Sequence, residues 1–481
     1  MLNRSRLTTI APFGLVAAGI AVAIAACSTP VKRSGFVPPN DTADAGFEAG
    51  VGFTPGAVPC QGLACKRQTC DDPSVTTTIT GKVYDPAGAN ALYNVMVYIP
   101  GGPNGDAALP PITEGVSCQT CASVALSPMV SALTNTKGEF ELKDVPVDKN
   151  VPIVIQVGKW RRTLKFDVTK KCEANPVPDR EFRLPKNGTE GDMPHIAVTA
   201  GGCDALECLL RGIGVDDKEF VPGASTAGHI HVFNGSGGQF SGAPQAGGTT
   251  TDPMGGELWN DTTKMSSYDM VMLSCECSEN NSNKGGEVGA AGTPSNARQA
   301  MWDYANLGGK IFATHFHYTW FKNSPRDDWK NVANWQSQGG GSGAYEVDQT
   351  FPKGASFADW LVNVNASPSK GTIQLTDVTD SLSNVNAPAQ SWIAKPATGG
   401  KPPQDRYFSF NTPTAAAPED QCGRAVYSDL HLMGISAGGG SFPNGCPAPG
   451  GLSAQQKALE FMFFDLSGCV QADDTPPELP H

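Results

Sequence analysis

Histidine is scarce in this chain, seven in 481 residues, so chemistry that needs imidazole is confined to a few positions. Charge is thin as well: Asp, Glu, Lys and Arg make up 17% of the residues, with a formal net charge of -12. No block of lysines and arginines offsets that balance, which argues against a nucleic-acid partner. The densest basic patch, KWRRTLKF from Lys159 to Phe166, alternates as a half-exposed strand does. Beyond the N-terminus no apolar run approaches the ~20 residues of a transmembrane helix.

The N-terminal apolar run, residues 11–26, follows Arg4 and Arg6 and ends in Ile24-Ala25-Ala26-Cys27. A basic start, a short Ala-rich apolar stretch and small residues at its close describe a signal peptide over residues 1–26. Ile24-Ala25-Ala26-Cys27 resembles the lipobox of bacterial lipoproteins. That resemblance implies acylation of Cys27, a lipid bilayer as partner and, because Ser28 follows, anchoring at the outer membrane. Residues 27–58, rich in Gly, Ala, Pro, Asp and Thr, lack the apolar residues for a core and read as a disordered tether.

Fourteen cysteines suit an oxidising compartment. With Cys27 lipidated, thirteen remain, an odd number that leaves one free or paired between chains. Cys60, Cys65 and Cys70 form C-x4-C-x4-C in a Cys-rich segment, 59–74, and Cys118 with Cys121 forms C-x-x-C. Zinc or disulfides could explain either group. No histidine lies near them, and disulfides are expected, with Cys172 a further candidate.

Two textures follow. Residues 75–188 carry short β-rich stretches separated by Gly, Pro and Asp, the pattern of a small antiparallel β-sandwich. ITGKVYDPAGANALYNVMVYIP and LTNTKGEFELKDVPVDKNVPIVIQVG resemble the carboxypeptidase regulatory-like domain, a transthyretin-like sandwich whose members are usually non-catalytic. Residues 193–470 alternate continuous apolar strands (HIAVTA, YDMVML, GGKIFAT, RAVYS) with helical patterns. One helix is expected to start at Thr293-Pro294 and carry Ala297, Met301, Tyr304 and Ala305 on one face. The last is expected to be capped by Ser453 with Gln456. This predicts a three-layer α/β domain with a mostly parallel sheet, interrupted by insertions at 234–255, 278–293 and 336–346, with a flexible tail over 471–481. YDMVMLS, ANLGGKIFATHFH and RAVYSDLH resemble the ThuA-like branch of the class I glutamine amidotransferase-like fold, which implies a flavodoxin-like architecture and a loose association with sugars.

In open parallel sheets ligands bind beyond the carboxyl ends of the strands. Ser274-Cys275-Glu276-Cys277, Thr314-His315-Phe316-His317 and Asp429-Leu430-His431 end three such strands. Thr314-His315 occupies the elbow where an amidotransferase needs its cysteine, so amide transfer through a thioester is not expected. Cys275 and Cys277 read equally as core, disulfide or nucleophilic residues. His315, His317, His431 and Glu276 are the candidate site. They could hold a divalent metal such as zinc, or act without metal as base and acid on a glycoside. Two histidines two apart on a strand share a face, so HFH could chelate through both rings; His229 and His231 repeat the spacing. The expected function is ligand binding, with carbohydrate as the ligand class. A saccharide hydrolase or lyase and a structural envelope protein are the alternatives.

Overall fold

The structure is a computed structural model that describes residues 61–121, 127–223, 225–235, 258–285, 297–432 and 442–479. The described residues fall within one compact unit, Pro59–His481. The signal peptide, Cys27, the tether, Cys60 and the Thr293-Pro294 cap lie outside the described residues. None of the described helices is long and apolar enough to cross a membrane.

This unit is mostly β, with several sheets. Its first part runs through β1 (Thr78–Lys82), β2 (Met96–Ile99), β3 (Val130–Leu133), β4 (Glu139–Lys143), β5 (Val151–Val157), β6 (Trp160–Phe166) and β7 (Ala174–Pro176). They form a three-stranded sheet, β4-β1-β7, and a four-stranded sheet, β3-β2-β5-β6. Alternation decides what each buries: Ile79, Phe140 and Leu142 from one sheet share a core with Val97, Ile99, Ile153 and Ile155 from the other. Most of the KWRRTLKF patch is β6; Thr163 and Lys165 alternate toward solvent as expected, whereas Lys159 and Arg161 are buried.

The chain then enters β8 (Ile196–Ala200), α1 (Leu206–Gly212), β9 (Phe220–Pro222), β10 (Ile230–Asn234), α2 (Thr262–Met265), β11 (Met270–Leu273), α3 (Ala297–Asn306) and β12 (Lys310–Thr314). After α4 (Thr319–Lys322) and α5 (Asp327–Lys330) come β13 (Ala333–Val347), α6 (Pro352–Asn363), β14 (Thr372–Val385), β15 (Gln390–Lys395), β16 (Gln404–Thr412), β17 (Gly423–Ser428) and α7 (Ala454–Ser467). All ten strands join one sheet, ordered β14-β13-β15-β16-β17-β12-β11-β8-β10-β9.

From β9 to β17 every neighbouring pair is parallel, while β16, β15, β13 and β14 extend the sheet antiparallel. The antiparallel extension corrects one expectation: residues 336–346, read as an insertion for their glycines, lie within β13. Its pairing with β14 is broken by register shifts, as Gly-rich strands permit. Strand residues feed two cores on opposite faces: Ile196, Val198, Met272 and Phe312 on one, and Ala197, Leu273, Ala313 and Tyr427 on the other.

Ser453 caps α7 in a capping box with Gln456, which satisfies two backbone donors at the helix start. The expected apolar face of α3 is buried at Ala297, Met301, Tyr304 and Ala305. Five disulfides join described residues: Cys70–Cys172, Cys118–Cys422, Cys121–Cys469, Cys203–Cys277 and Cys208–Cys446. Cys65 is oxidised too. Zinc at the C-x-x-C pair is thereby excluded, because Cys118 and Cys121 bond to different distant partners.

Where α7 meets the first part of the unit, two carboxyls are buried together. Asn90 Nδ2 donates to Glu460 Oε2 at 2.7 Å and Ala89 N to Asp85 Oδ1 at 2.7 Å. That leaves Asp85 Oδ2 and Glu460 Oε1 with no donor other than a proton held between them. Burial pushes Asp85 up to about 6, and burial with the Asp85 charge raises Glu460 well above the carboxyl range. Carboxyls raised on folding stabilise at low pH and lose that contribution as pH climbs through the folded values. Glu460→Gln supplies a permanent donor, so it is expected to raise stability by about 1–3 kcal/mol at pH 8 and little at pH 5. Thermal melts at the two pH values check this.

Candidate functional site

Four strand ends meet where the order of the parallel strands turns back: β8 lies between β10 and β11, and connections leave it on both sides. Gly201 and Gly202 follow β8, and a Cβ at Gly201 would stand 2.2 Å from the Cys275 carbonyl. Only glycine lets the end of β11 come this close. Cys203 N donates to that carbonyl at 2.9 Å, and the Cys203–Cys277 disulfide closes the same two strand ends. Cys275 N donates to Thr314 Oγ1 at 3.1 Å, fixing it against β12. Cys275 itself is the free cysteine among the described residues and is buried.

β12 ends in a sharp elbow. His315 adopts φ +41°, left-handed backbone rare for a residue with a side chain and typical of positions held by their surroundings. The chain then makes a 3-10 turn over His315–Tyr318, so His315 and His317 do not project from one strand face. The expectation that HFH would chelate through both rings is corrected by that turn. Tyr427 Oη, 2.9 Å from the His315 carbonyl and 2.8 Å from Asp429 Oδ1, ties the elbow to β17. Asp429 in turn accepts from Thr379 Oγ1 at 2.9 Å and Ser381 N at 3.0 Å, which spends it on β14.

His431 follows β17 and is held by its backbone. Gln455 Nε2 donates to the His431 carbonyl at 2.6 Å and Gln456 Nε2 to the Leu432 carbonyl at 3.0 Å. Leu432 N donates to Asp204 Oδ1 at 2.9 Å. The α7 start and the segment before α1 thus set the position of one ring.

These supports bring three donor atoms together. Cys275 Sγ is 3.2 Å from His315 Nδ1, and His431 Nε2 is 3.1 Å from the same nitrogen. The ligand atoms of all three residues lie within 4.8 Å of one another. Cys275 Sγ and His431 Nε2 thus share a single nitrogen, while His431 Nδ1 is buried with no partner. Burial pushes the Cys275 thiol up to about 12, against the pull of the Phe316 and Cys277 amides, and pushes His315 down to about 2. Both groups are therefore neutral, and a thiolate–imidazolium pair of the cysteine-protease kind is disfavoured.

The other two expected site residues face elsewhere. His317 Nε2 donates to the Ser274 carbonyl at 2.8 Å and Nδ1 accepts from Trp320 Nε1 at 2.9 Å. Both nitrogens are spent, and burial, helped by Lys284, holds the ring neutral with its pKa near 3. Glu276 pairs with Lys284 at 2.6 Å, each side chain 1% exposed, and Lys284 Nζ lies 5.0 Å from the Trp259 ring centre. His315 and His431 thus meet with Cys275, whereas His317 and Glu276 do not join them.

Sequence reasoning left Cys275 undecided and passed over Asp204. With Cys27 set aside as the expected lipidation site, the remaining thirteen cysteines implied one free or paired between chains, without saying which. Asp204 and Glu207 form D-x-x-E at the start of an otherwise apolar helix, and both are buried, with Asp204 Oδ2 and both Glu207 carboxylate oxygens unpartnered. Charges placed on a buried helix face were the available signal.

No family model matches this chain, and no curated protein matches it. Among solved structures, a cytoplasmic protein of Salmonella typhimurium aligns at 10% identity over 56% of this chain and 98% of its own, with a TM-score of 0.28. A chain of a type II cohesin–X-dockerin complex from Acetivibrio cellulolyticus aligns at 15% identity over 27% of this chain and 79% of its own, with a TM-score of 0.15. Neither likeness bears on the fold or function of this chain.

Proposed function

We propose that this chain is an exported envelope lipoprotein, anchored to the outer membrane through acylated Cys27, that binds a ligand through a metal-centred site at Cys275, His315 and His431. In this reading residues 193–470 are a flavodoxin-like, ThuA-like α/β domain and residues 75–188 a carboxypeptidase regulatory-like sandwich that acts as spacer. The observation that carries it is the convergence of one sulfur and two imidazole nitrogens within 4.8 Å at the turning point of the strand order. One thiolate with two neutral imidazoles suits zinc and copper. Three protein donors leave a tetrahedral ion one open position, which a ligand oxygen can fill. A saccharide is the ligand class that the ThuA-like resemblance favours.

Calorimetric titration of the mature protein with a saccharide panel, with and without one equivalent of zinc, tests the reading. Binding is expected only in the metal-loaded protein and is expected to vanish in His431→Ala. Saccharide binding unchanged by metal removal would place the ligand elsewhere.

One observation favours a hydrolase or lyase as the second reading. Asp204 is fully buried, its Oδ2 unpartnered, and it is in electrostatic contact with both His431 and Cys275. Burial raises it, against the pull of His431, which is the setting of a carboxyl suited to proton transfer. Turnover of a bound saccharide, lost in Asp204→Asn with binding retained, would establish it; binding without turnover would retire it.

A further inference from the structure

Three more histidines gather at the opposite end of the same strands. His195 precedes β8, and His229 and His231 bracket the first residue of β10. In the parallel register His231 stands beside Ala197, so His195, His229 and His231 lie on one face. The His195 ring centre is 5.1 Å from that of His229 and 5.9 Å from that of His231. With ~2.1 Å metal–nitrogen bonds, two imidazoles on a tetrahedral ion have ring centres ~5 Å apart.

The atoms behind the rings are arranged as they are behind metal-ligating histidines. Glu219 Oε2 is 2.6 Å from His229 Nδ1, and Tyr268 Oη is 2.9 Å from His231 Nδ1. The Glu219 carboxylate can only accept, so it fixes the proton on His229 Nδ1 and leaves Nε2 as a metal ligand; the Tyr268 hydroxyl does the same for His231 when it accepts from Nδ1. His231 Nε2 is buried, in a residue only 7% exposed, and makes no direct hydrogen bond, with the Ala227 and Gly228 backbone beside the ring. Glu219 is itself held, its Oε1 accepting from Gly188 N at 3.0 Å.

His195 completes the group. Its side chain is 23% exposed, and its Nε2 meets Glu114 Oε1 at 4.0 Å, so solvent can deliver an ion to this ring. Its backbone N donates to Asp269 Oδ2 at 2.7 Å, which adds a second fixed carboxylate near the rings. The charge nearby is balanced: Glu114, Glu219 and Asp269 face Lys159, which pairs with Asp269, together with Lys310 and Lys218.

We propose that His195, His229 and His231 bind a second divalent transition-metal ion, of the class that prefers imidazole, such as zinc or cobalt. The ion would clamp the segment leading out of the small sheets, at residues 192–195, to β10 near the sheet edge. This site is separate from Cys275; cobalt at the proposed Cys275 site serves as the reference in its test, and one sulfur-free equivalent lost in the His195→Asn, His229→Asn variant supports the second site whether or not cobalt also binds at Cys275.

Cobalt(II) alone, titrated into the mature protein with bound metal counted after dialysis, tests it. Wild type is expected to hold two equivalents, one with the near-ultraviolet band of a thiolate–cobalt bond and one without. The His195→Asn, His229→Asn double variant is expected to hold one, with the sulfur band intact, which also shows that it has folded. Glu219→Gln is expected to weaken the second equivalent roughly 10–100-fold. A double variant that binds as much cobalt as wild type would overturn the proposal, as would a wild type whose whole uptake is lost in Cys275→Ser. Loss of the sulfur band alone in Cys275→Ser, with one equivalent kept, would support it.

Discussion

Arg424→Met is expected to destabilise the folded chain by about 3–5 kcal/mol, a large part of the ~5–15 kcal/mol that holds a typical domain folded. Arg424, in β17, is 2% exposed. Its Nη2 donates to Asp465 Oδ2 at 3.0 Å, Asp473 Oδ1 at 2.7 Å and Ser409 Oγ at 2.9 Å, and Nη1 to Asn411 Oδ1 at 2.8 Å. Lys353 is the second cation, 3.0 Å from Asp465 and 3.6 Å from Asp473. Two cations thus contact the two carboxylates, with Lys310 farther off, and methionine would strip the carboxylates of their main hydrogen-bonding partner. Urea unfolding measures the loss, and Asp473→Asn added to Arg424→Met should restore part of it, because the partners share one network.

The same network sets an acid limit. Burial raises the Asp465 carboxyl, but Lys353 and Arg424 outweigh it and hold the group below its ordinary value. A depressed carboxyl contributes stability above its unfolded pKa of about 3.9, and that contribution fades as pH falls through the folded value. Arg424→Met removes one of the two cations, so its stability should fall less steeply in acid than that of wild type.

Cys275→Ser is expected to abolish ion binding at the strand ends while changing the metal-free fold little. His431 Nε2 can still serve His315 Nδ1, and the elbow is held by Tyr427, Thr314 and the Cys203–Cys277 bridge rather than by the thiol. The affinity loss should exceed the roughly 10–100-fold that accompanies loss of a group behind a ligand. At zinc 1,000-fold above its dissociation constant, binding stabilises by about 4.1 kcal/mol. Wild type should therefore melt higher with zinc, while Cys275→Ser should show that part of the gain missing. Because the thiol must lose its proton, the apparent affinity of wild type should rise with pH.

Strands whose apolar runs are continuous were legible, since burial on both faces leaves little alternative, and YDMVML, KIFAT and RAVYS are all parallel neighbours. In the antiparallel extension DRYFSFN was legible as a strand, β16, but β13 was not, because the glycines of residues 336–346 mimic a loop and their pairing partner lies beyond α6. Cysteine parity, with Cys27 set aside, pointed to one thiol free or paired between chains, but pairings that span 74 to 348 residues cannot be read from spacing. HFH misled for a local reason: the period of two holds only while the strand continues, and β12 stops at Thr314. Glu276 looked available because nothing in its neighbourhood marks Lys284, eight residues on, as its buried partner.

The central claim is that Cys275, His315 and His431 bind one metal ion together. Zinc-edge X-ray absorption on the His195→Asn, His229→Asn protein, loaded with one equivalent of zinc, tests it most directly. One sulfur at ~2.3 Å with nitrogen neighbours at ~2.0–2.1 Å, the sulfur absent in Cys275→Ser, is the expected result. Zinc with only nitrogen and oxygen neighbours, or a protein that retains no zinc, would contradict it.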